Sequence, residues 1–257
     1  MFNSGAMERS RNEIERIRAA YRVRDATALD TASPWLDRAY RILLQDLEWA
    51  LLEELHHTSI ALAGARVLEV GCGAGYFLER FREYGVAHAA GIDLVEDRIA
   101  IARARYPALE LVAGDASKLP WDDKSFELVT QFTCLSSILD QRVRDSVASE
   151  MWRVLAPGGA VISYDIGPEP LPVRAIRRLA ALRAGAGAAS GRTPTAPVET
   201  SELARWFPAA ELRCRRVGVH PDLGQVLARA PRVARAAVGS PGLSVHVLAV
   251  ARKEAAG

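Results

Sequence analysis

Cysteine is scarce in this sequence, and so are lysine and long apolar runs. The 257 residues include only 3 cysteines, Cys72, Cys134 and Cys214, and no two of them stand in C-x-x-C spacing. This odd, scattered set excludes a disulfide framework and a cysteine-based zinc site, and it predicts a reducing compartment such as the cytoplasm. We therefore expect no metal.

Arginine carries nearly all of the positive charge, because Lys118, Lys124 and Lys253 are the only lysines. The formal net charge is +2, so nothing indicates a polyanionic partner, and a nucleic-acid-binding protein would cluster its charge on one face. Arginine also interrupts every apolar run before it reaches the length of a membrane span, and the charged N-terminus lacks the apolar core of a signal peptide. We expect neither a nucleic-acid partner nor a membrane partner.

The most informative stretch is VLEVGCGAG, residues 67–75. Its apolar start predicts a buried strand, and the alternate glycines Gly71, Gly73 and Gly75 predict a turn at which a ligand can approach the backbone. Helical spacing follows from Tyr76 onward, and such a unit binds nucleotides in many α/β proteins. A tight turn without a ligand is one alternative. The G-x-G-x-x-G loop of nicotinamide enzymes is another, although the third glycine here comes one residue early.

Glu69 stands just before these glycines, where its carboxylate would repel a pyrophosphate and attract an ammonium group. The pattern E-V-G-C-G-A-G resembles the first motif of the class I S-adenosylmethionine-dependent methyltransferases. Further matching stretches extend the resemblance over roughly residues 62–165, and the most specific of them is R-V-L-A-P-G-G at Arg153–Gly159. The resemblance implies S-adenosyl-L-methionine as cofactor, S-adenosyl-L-homocysteine as product, and no metal.

The resemblance also implies the fold, an α/β Rossmann-like methyltransferase sheet of seven strands in the order 3-2-1-4-5-7-6 with the last strand antiparallel. Residues 1–60 contain two amphipathic segments, which we expect to form a helical N-terminal cap or lid. Residues 61–257 should form the methyltransferase domain, with inserts at about 168–200 and 221–240. The segment 184–198 within the first insert is either a lid or a passive loop.

Cofactor contacts follow from the family pattern. Asp93 ends the second predicted strand, roughly 20 residues past the glycine turn, where a carboxylate accepts hydrogen bonds from ribose hydroxyls; a helix N-cap is the alternative. The resemblance assigns Asp115 to the adenine amino group, a donor that suits an acceptor-only carboxylate. The expected cofactor contacts are Glu69, Gly71, Cys72, Gly73, Asp93, Leu94, Asp115, Ala116, Gln131 and Phe132.

A hydroxyl acceptor needs a general base, and histidine suits that task near neutral pH. His220, at the predicted end of the sixth strand, is our first candidate, with a structural role at the strand end as the alternative. Tyr164 and Asp165, at the end of the fifth strand, are the next candidates, whereas His246 is expected to be structural. The acceptor wall is expected to contain Tyr21, Trp35, Tyr40 and Leu135, with core packing as the alternative for the three aromatics.

The predicted function is cytoplasmic methyl transfer to a small-molecule acceptor, preferably to a hydroxyl of a natural product or a sugar-containing intermediate in secondary metabolism such as antibiotic biosynthesis. Nitrogen or carbon methylation is the nearest alternative. A non-catalytic cofactor-binding scaffold subunit is the alternative from another class, and the intact Glu69, Gly71, Gly73, Asp93 and Asp115 argue against it. We expect a monomer or a homodimer.

Overall fold

The computed structural model describes residues 4–29, 38–184, 194–220, 233, 237, 240 and 242–255. The helices are α1 (Ser4–Leu29), α2 (Arg38–Thr58), α3 (Tyr76–Glu83), α4 (Glu96–Arg105), α5 (Gln141–Val154), α6 (Leu171–Ala184) and α7 (Thr200–Trp206). The strands are β1 (Arg66–Val70), β2 (His88–Asp93), β3 (Glu110–Ala113), β4 (Phe126–Phe132), β5 (Leu155–Ile166), β6 (Ala210–Val219) and β7 (Ser244–Lys253). A short 3₁₀ turn, Leu135–Ser137, follows β4.

The strands form one seven-stranded sheet in the order β3-β2-β1-β4-β5-β7-β6. Strands β1 to β5 pair in parallel, and β7 is antiparallel to both β5 and β6. This arrangement confirms the predicted topology. Its consequence is that the carboxyl ends of β1 to β6 and the start of β7 meet at one edge, which is where open α/β sheets bind their ligands.

Helices cover both faces of this sheet, so alternate strand residues enter two separate cores. The first core lies on the side of the sheet that α5 and α7 cover, here called the α5 face. It includes Leu68, Val129, Val161 and Val247. The second core lies on the opposite side, which α2, α3 and α4 cover, here called the α3 face. It includes the intervening strand residues Val67, Leu128, Ile162 and Leu248. Burial on both faces explains why the strands are apolar throughout.

The N-terminal segment forms a longer helix than its apolar spacing indicated, since α1 spans Ser4–Leu29. The start of the second predicted amphipathic segment, at Trp35, lies outside the described residues, and so does most of the predicted insert at 221–240. Within the part of the chain that the structure describes, no helix combines the length and the apolar character that a bilayer crossing requires.

Candidate active site

The turn between β1 and α3 contains glycines with positive φ. The φ angles of Gly71, Gly73 and Gly75 are 72°, 52° and 80°, values that residues with a side chain rarely adopt. A Cβ on Gly71 would lie 2.7 Å from the Sγ atom of Cys134, so glycine is also needed there for the close approach of the turn after β4. The carbonyl of Ile92 accepts a hydrogen bond from the Gly71 amide at 2.8 Å and holds the turn against β2.

A cavity opens at the carboxyl ends of β1 to β4, between this glycine turn and the turn that follows β4. The empty space within it, including the solvent at its open mouth, is ≈ 860 Å³. The lining comes from α1, the ends of β1 to β4 and the first half of α5. The predicted site residues that line it are Tyr21, Gly71, Asp93, Leu94, Asp115, Ala116 and Phe132.

Glu69 lies beneath the glycine turn and is 3% exposed. Its Oε2 atom is buried and has no hydrogen-bond partner among the described residues. Burial raises the pKa of this carboxyl well above its usual range, and the nearby carboxylate of Asp93 raises it further. Because a buried carboxylate without a cation is costly, an ammonium group bound above the glycine turn would satisfy Glu69.

Asp93 and Asp115 each hold a backbone turn at the edge of the cavity. The Oδ2 atom of Asp93 accepts from the Gly73 amide, and its Oδ1 atom accepts from the Val95 amide, both at 2.8 Å. The carboxylate therefore ties the glycine turn to the start of α4, and each oxygen has a second lone pair for a ligand hydroxyl. Asp115 accepts from the Ser117 amide at 2.9 Å and lines the cavity beyond β3.

The predicted contacts Cys72 and Gly73 lie just behind the cavity lining. The Cys72 side chain packs in the core of the α3 face, so only its backbone is near the site. Burial raises the pKa of both Cys72 and Cys134, which keeps the two thiols protonated and uncharged at neutral pH. Both cysteines are therefore packing groups, and Cys134 fills the space that the missing side chain of Gly71 leaves.

Helix α1 lies across the cavity and is bound to the turn after β4. Glu13 accepts from the Leu139 amide at 2.5 Å, and Arg16 donates to the Ser137 carbonyl at 2.6 Å. The hydroxyls of Tyr21 and Ser137 are 2.9 Å apart and hydrogen-bonded. The sequence analysis predicted Tyr21 as a site residue but missed Glu13 and Arg16, because an acid and an arginine three residues apart are common on any solvated helix.

Two predicted cofactor contacts at the end of β4 fall on opposite faces of the sheet. Phe132 lies on the α3 face, where it lines the cavity and stacks on Phe77 with ring centroids 3.8 Å apart. Gln131 lies on the α5 face, where its Nε2 donates to Ser163 Oγ and to Asp165 Oδ2, each at 2.6 Å. The Gln131 side chain therefore points away from the cavity, because successive strand residues point in opposite directions.

The side chains of Asp165 and Leu135 also lie away from the cavity. Asp165 is 1% exposed and accepts hydrogen bonds from Gln131 and from the Ser136 amide, the latter at 2.9 Å. Burial raises its pKa to about 6, but its carboxylate lies behind the turn after β4 and does not line the cavity. Leu135 is fully buried in the core of the α5 face, not in an acceptor wall.

Tyr164 and His246 lie together on the α3 face near this edge, and His220 lies close enough for its charge to act on His246. The Tyr164 and His246 rings stack with centroids 4.8 Å apart, and Phe132 lies 6.4 Å from Tyr164, which links the group to the cavity. Gly218, with φ 66°, makes room for them. A Cβ there would lie 3.1 Å from His246 Nδ1 and 3.2 Å from the Tyr164 hydroxyl.

His246 belongs to this group although the sequence analysis expected only a structural role. Burial lowers its pKa to about 4, and the charge of His220 lowers it further, so the imidazole is neutral at pH 7. Its Nδ1 atom is buried without a hydrogen-bond partner among the described residues. His220 is itself buried, directly after β6.

Two of the predicted acceptor contacts, Trp35 and the side chain of Tyr40, are not among the described parts of the chain.

These residues fit S-adenosylmethionine. The unpartnered Oε2 of Glu69 suits the ammonium group, Asp93 suits the ribose diol, and Asp115 suits an aminopurine at the end of β3. Within the described residues, no group of three or more His, Cys, Asp or Glu side chains is arranged to hold a metal ion.

Residues 67–159 match the protein family described as "Methyltransferase domain". This segment belongs to the class I S-adenosylmethionine-dependent methyltransferases. The matched segment runs from the strand before the glycine turn to the glycine pair at the bend in β5, and it therefore includes every acidic residue of the cofactor side.

Curated relatives of this methyltransferase share its central segment. A fatty-acid O-methyltransferase of Mycolicibacterium smegmatis is 41% identical over 124 residues, 45% of this chain and 43% of the relative. A malonyl-[acyl-carrier protein] O-methyltransferase of Erwinia billingiae is 34% identical over 121 residues, 46% of each chain. The chain thus spans about half the length of the curated relatives it matches.

The fold of this methyltransferase matches solved structures over more of the chain. A magnesium protoporphyrin IX methyltransferase from Synechocystis PCC 6803, solved with bound S-adenosylhomocysteine, aligns with a TM-score of 0.63. The alignment covers 94% of this chain and 100% of that one, at 11% sequence identity. At this identity the likeness concerns the fold alone.

Proposed function

We propose that this protein transfers the methyl group of S-adenosylmethionine to an oxygen atom of a small molecule. The observation that carries the proposal is the buried Glu69 carboxylate beside a glycine turn at the cavity, because its Oε2 atom has no hydrogen-bond partner among the described residues. When bound, the cofactor supplies an electrophilic methyl group on a sulfonium, so the protein's task is binding, alignment and proton removal.

The cofactor side of the site has a defined role for each acid. Glu69 pairs with the ammonium group, Asp93 accepts the ribose hydroxyls, and Asp115 accepts the adenine amine. Helix α1, through Ile14, Ile17 and Tyr21, covers the cavity and excludes water from the reacting atoms. Exclusion of water strengthens the electrostatic interactions inside the site.

On the acceptor side, Phe132 and Tyr164 orient the acceptor next to the transferable methyl group. His220 takes the proton of a hydroxyl acceptor while the new oxygen–carbon bond forms and the sulfur–carbon bond breaks. His246 supports Tyr164 by stacking on its ring. None of the three predicted catalytic residues lines the cavity itself. Tyr164 and His220 keep this proposal because Tyr164 lies next to Phe132 of the cavity wall, whereas both carboxylate oxygens of Asp165 are bonded to Gln131 and the Ser136 amide.

A carboxylic acid acceptor is the second candidate, because two relatives are named for O-methylation of a fatty acid and of a carrier-bound malonyl group. A carboxylate is already deprotonated at neutral pH, so its methylation needs no general base. For either acceptor we propose a role in cytoplasmic secondary metabolism, such as antibiotic biosynthesis, without a nucleic-acid or membrane partner. Nitrogen or carbon methylation remains the alternative reaction.

The first test is calorimetric titration of S-adenosylhomocysteine into the wild type and Asp93→Ala. We expect micromolar binding that weakens at least about 100-fold in the variant, because two charge-assisted hydrogen bonds are lost. Asp97→Ala is the matched control, since Asp97 is an exposed acid at the start of α4. A wild type that does not bind the ligand contradicts the proposal. Binding without turnover on a broad acceptor panel supports the non-catalytic scaffold instead.

The second test separates the two acceptor classes with His220→Gln. For a hydroxyl acceptor we expect kcat to fall by about 10²–10⁴-fold, the usual contribution of a general base. For a carboxylate acceptor we expect kcat to stay within about three-fold of the wild type, since no proton is removed. His88→Gln is the control, because His88 pairs with Glu110 on the surface, away from the cavity. Hydroxyl methylation that is unchanged in His220→Gln contradicts the role of His220 as base.

A further inference from the structure

The turn after β4, residues 133–137, contacts both the cavity and the lid helix α1. Thr133, Cys134 and Ser137 line the cavity. The turn is bent sharply, since Thr133 has φ 59°, a value that costs energy in a β-branched residue. Such a conformation persists only where surrounding groups hold it.

Two buried side chains behind the turn hold its backbone amides. The Oε1 atom of Gln131 accepts from the amides of Cys134, at 2.8 Å, and Leu135, at 3.4 Å. The Oδ1 atom of Asp165 accepts from the Ser136 amide at 2.9 Å. Gln131 and Asp165 are also bonded to each other at 2.6 Å, so one rigid buried pair holds three consecutive amides.

The far end of the same turn holds α1. Ser137 binds Arg16 through its carbonyl and Tyr21 through its hydroxyl, and the Leu139 amide just beyond it binds Glu13. Any shift of the Ser136 amide therefore moves the carbonyl and hydroxyl on which the lid rests.

We propose that Gln131 and Asp165 are positioning residues that hold α1 closed over the cavity through the turn 133–137. Neither side chain touches the cavity or α1, and both act through Ser137. The consequence for cofactor affinity rests on the proposed function, but the lid contact itself belongs to the ligand-free protein and can be measured without any ligand.

The pair can be broken and then rebuilt with reversed polarity. Asp165 accepts a hydrogen bond at each of its two oxygens, whereas an asparagine side chain has one oxygen and one NH₂ group. In Asp165→Asn, the NH₂ group therefore faces either Nε2 of Gln131 or the Ser136 amide, and both of these are hydrogen-bond donors. In the double variant Gln131→Glu/Asp165→Asn, the new carboxylate at position 131 accepts from the new side-chain amide at position 165 and from the turn amides. The carbonyl oxygen of that side-chain amide still accepts from the Ser136 amide. The buried negative charge is kept. Two hydrogen bonds change direction, because the Ser163 hydroxyl, which accepts from Gln131 in the wild type, donates to the new carboxylate.

Hydrogen exchange of the backbone amides of residues 13–21, measured without ligand, reports the lid. We expect exchange at least about 10-fold faster in Asp165→Asn, and exchange within about three-fold of the wild type in the double variant. S-adenosylhomocysteine affinity should follow the same order, weakened about 10-fold in the single variant and restored in the double variant. Thr130→Val is the matched control, since it removes a buried hydrogen bond to the Leu68 carbonyl from the same strand but outside the pair.

Unchanged lid exchange in Asp165→Asn would overturn the proposal, and so would a double variant that stays as open as the single one. If Asp165→Asn fails to fold, the double variant alone tests the proposal. A double variant that folds but shows fast exchange in residues 13–21 contradicts the proposal. A wild type that shows a protected α1 but binds no S-adenosylhomocysteine would contradict the proposed function and leave this inference standing.

Discussion

The two faces of the sheet differ in chemistry at the edge where the site lies. On the α5 face, the polar strand side chains Gln131, Ser163 and Asp165 are bonded to one another. At the same edge of the α3 face, two strand side chains carry buried polar atoms without a partner among the described residues, Oε2 of Glu69 and Nδ1 of His246.

This difference separates residues that support the fold from residues that we expect to bind a ligand. A buried polar group that finds its partners inside the protein rigidifies the fold, whereas an unpartnered one is costly unless a ligand completes it. Glu69 lies next to the glycine turn, and His246 stacks on Tyr164, a neighbour of Phe132 in the cavity wall. We therefore expect changes on the α5 face to appear in stability and lid closure, and changes on the α3 face to appear in ligand binding.

The largest expected effect concerns the α5 face and the pH dependence of folding. The pKa of Asp165 is raised from 3.8 to about 6, so between these values the folded protein binds more protons than the unfolded chain. The contribution of Asp165 to the unfolding free energy should therefore fall as pH rises from 4 to 7, by roughly 3 kcal/mol in total. Urea denaturation of the wild type and Asp165→Asn at several pH values measures this contribution. Equal slopes for the two proteins would show that Asp165 does not titrate in this range.

The next effect concerns Glu69 on the α3 face. We expect Glu69→Gln to weaken S-adenosylhomocysteine binding by about 10–100-fold, because it removes the charge that pairs with the ammonium group. Folding stability should stay equal or rise, since the variant removes a buried ionisable group without a partner. Titration in two buffers of different ionisation enthalpy should also show proton release on binding by the wild type and none by the variant.

The control for Glu69 is Glu127→Gln. Glu127 is also a strand glutamate of this sheet, but it is partly exposed and pairs with Arg66, and its pKa is lowered. We expect its variant to bind S-adenosylhomocysteine as the wild type does. If the wild type, Glu69→Gln and Glu127→Gln bind with equal affinity, Glu69 does not contribute to cofactor binding. The two faces would then not differ in the way proposed here.

The smallest expected effect concerns Gly218, which makes room for Tyr164 and His246. Gly218→Ala and Gly158→Ala both place a side chain at positive φ, which costs about 1–2 kcal/mol. A Cβ at Gly158 meets nothing closer than Ala255 at 3.9 Å, whereas one at Gly218 meets His246 at 3.1 Å. We expect Gly218→Ala to cost about 1 kcal/mol more than Gly158→Ala in thermal unfolding, because it overpacks the site. Equal costs would show that the acceptor side is loosely packed there.

Much of the cofactor side could be predicted from the sequence because its function depends on backbone and on local order. The glycine turn, Asp93 and Asp115 each follow a strand directly, and the carboxyl ends of parallel strands meet at one edge whatever the side chains are. The strand order was predicted from family resemblance and is confirmed. The sequence did not show that the side chains of Gln131 and Asp165 point away from the cavity, because a difference of one strand position reverses the face on which a side chain lies.

The sequence by itself determined the strand–turn–helix unit, the family and the acidic groups of the cofactor side, since these depend on residues close together in the chain. Only the tertiary structure decided that Glu13 and Arg16 bind a turn more than 100 residues away, at Leu139 and Ser137. It also decided that Tyr164 on β5 and His246 on β7 form one group. Contacts of this kind depend on how separate elements pack, and no local pattern of apolar spacing or glycine placement encodes them.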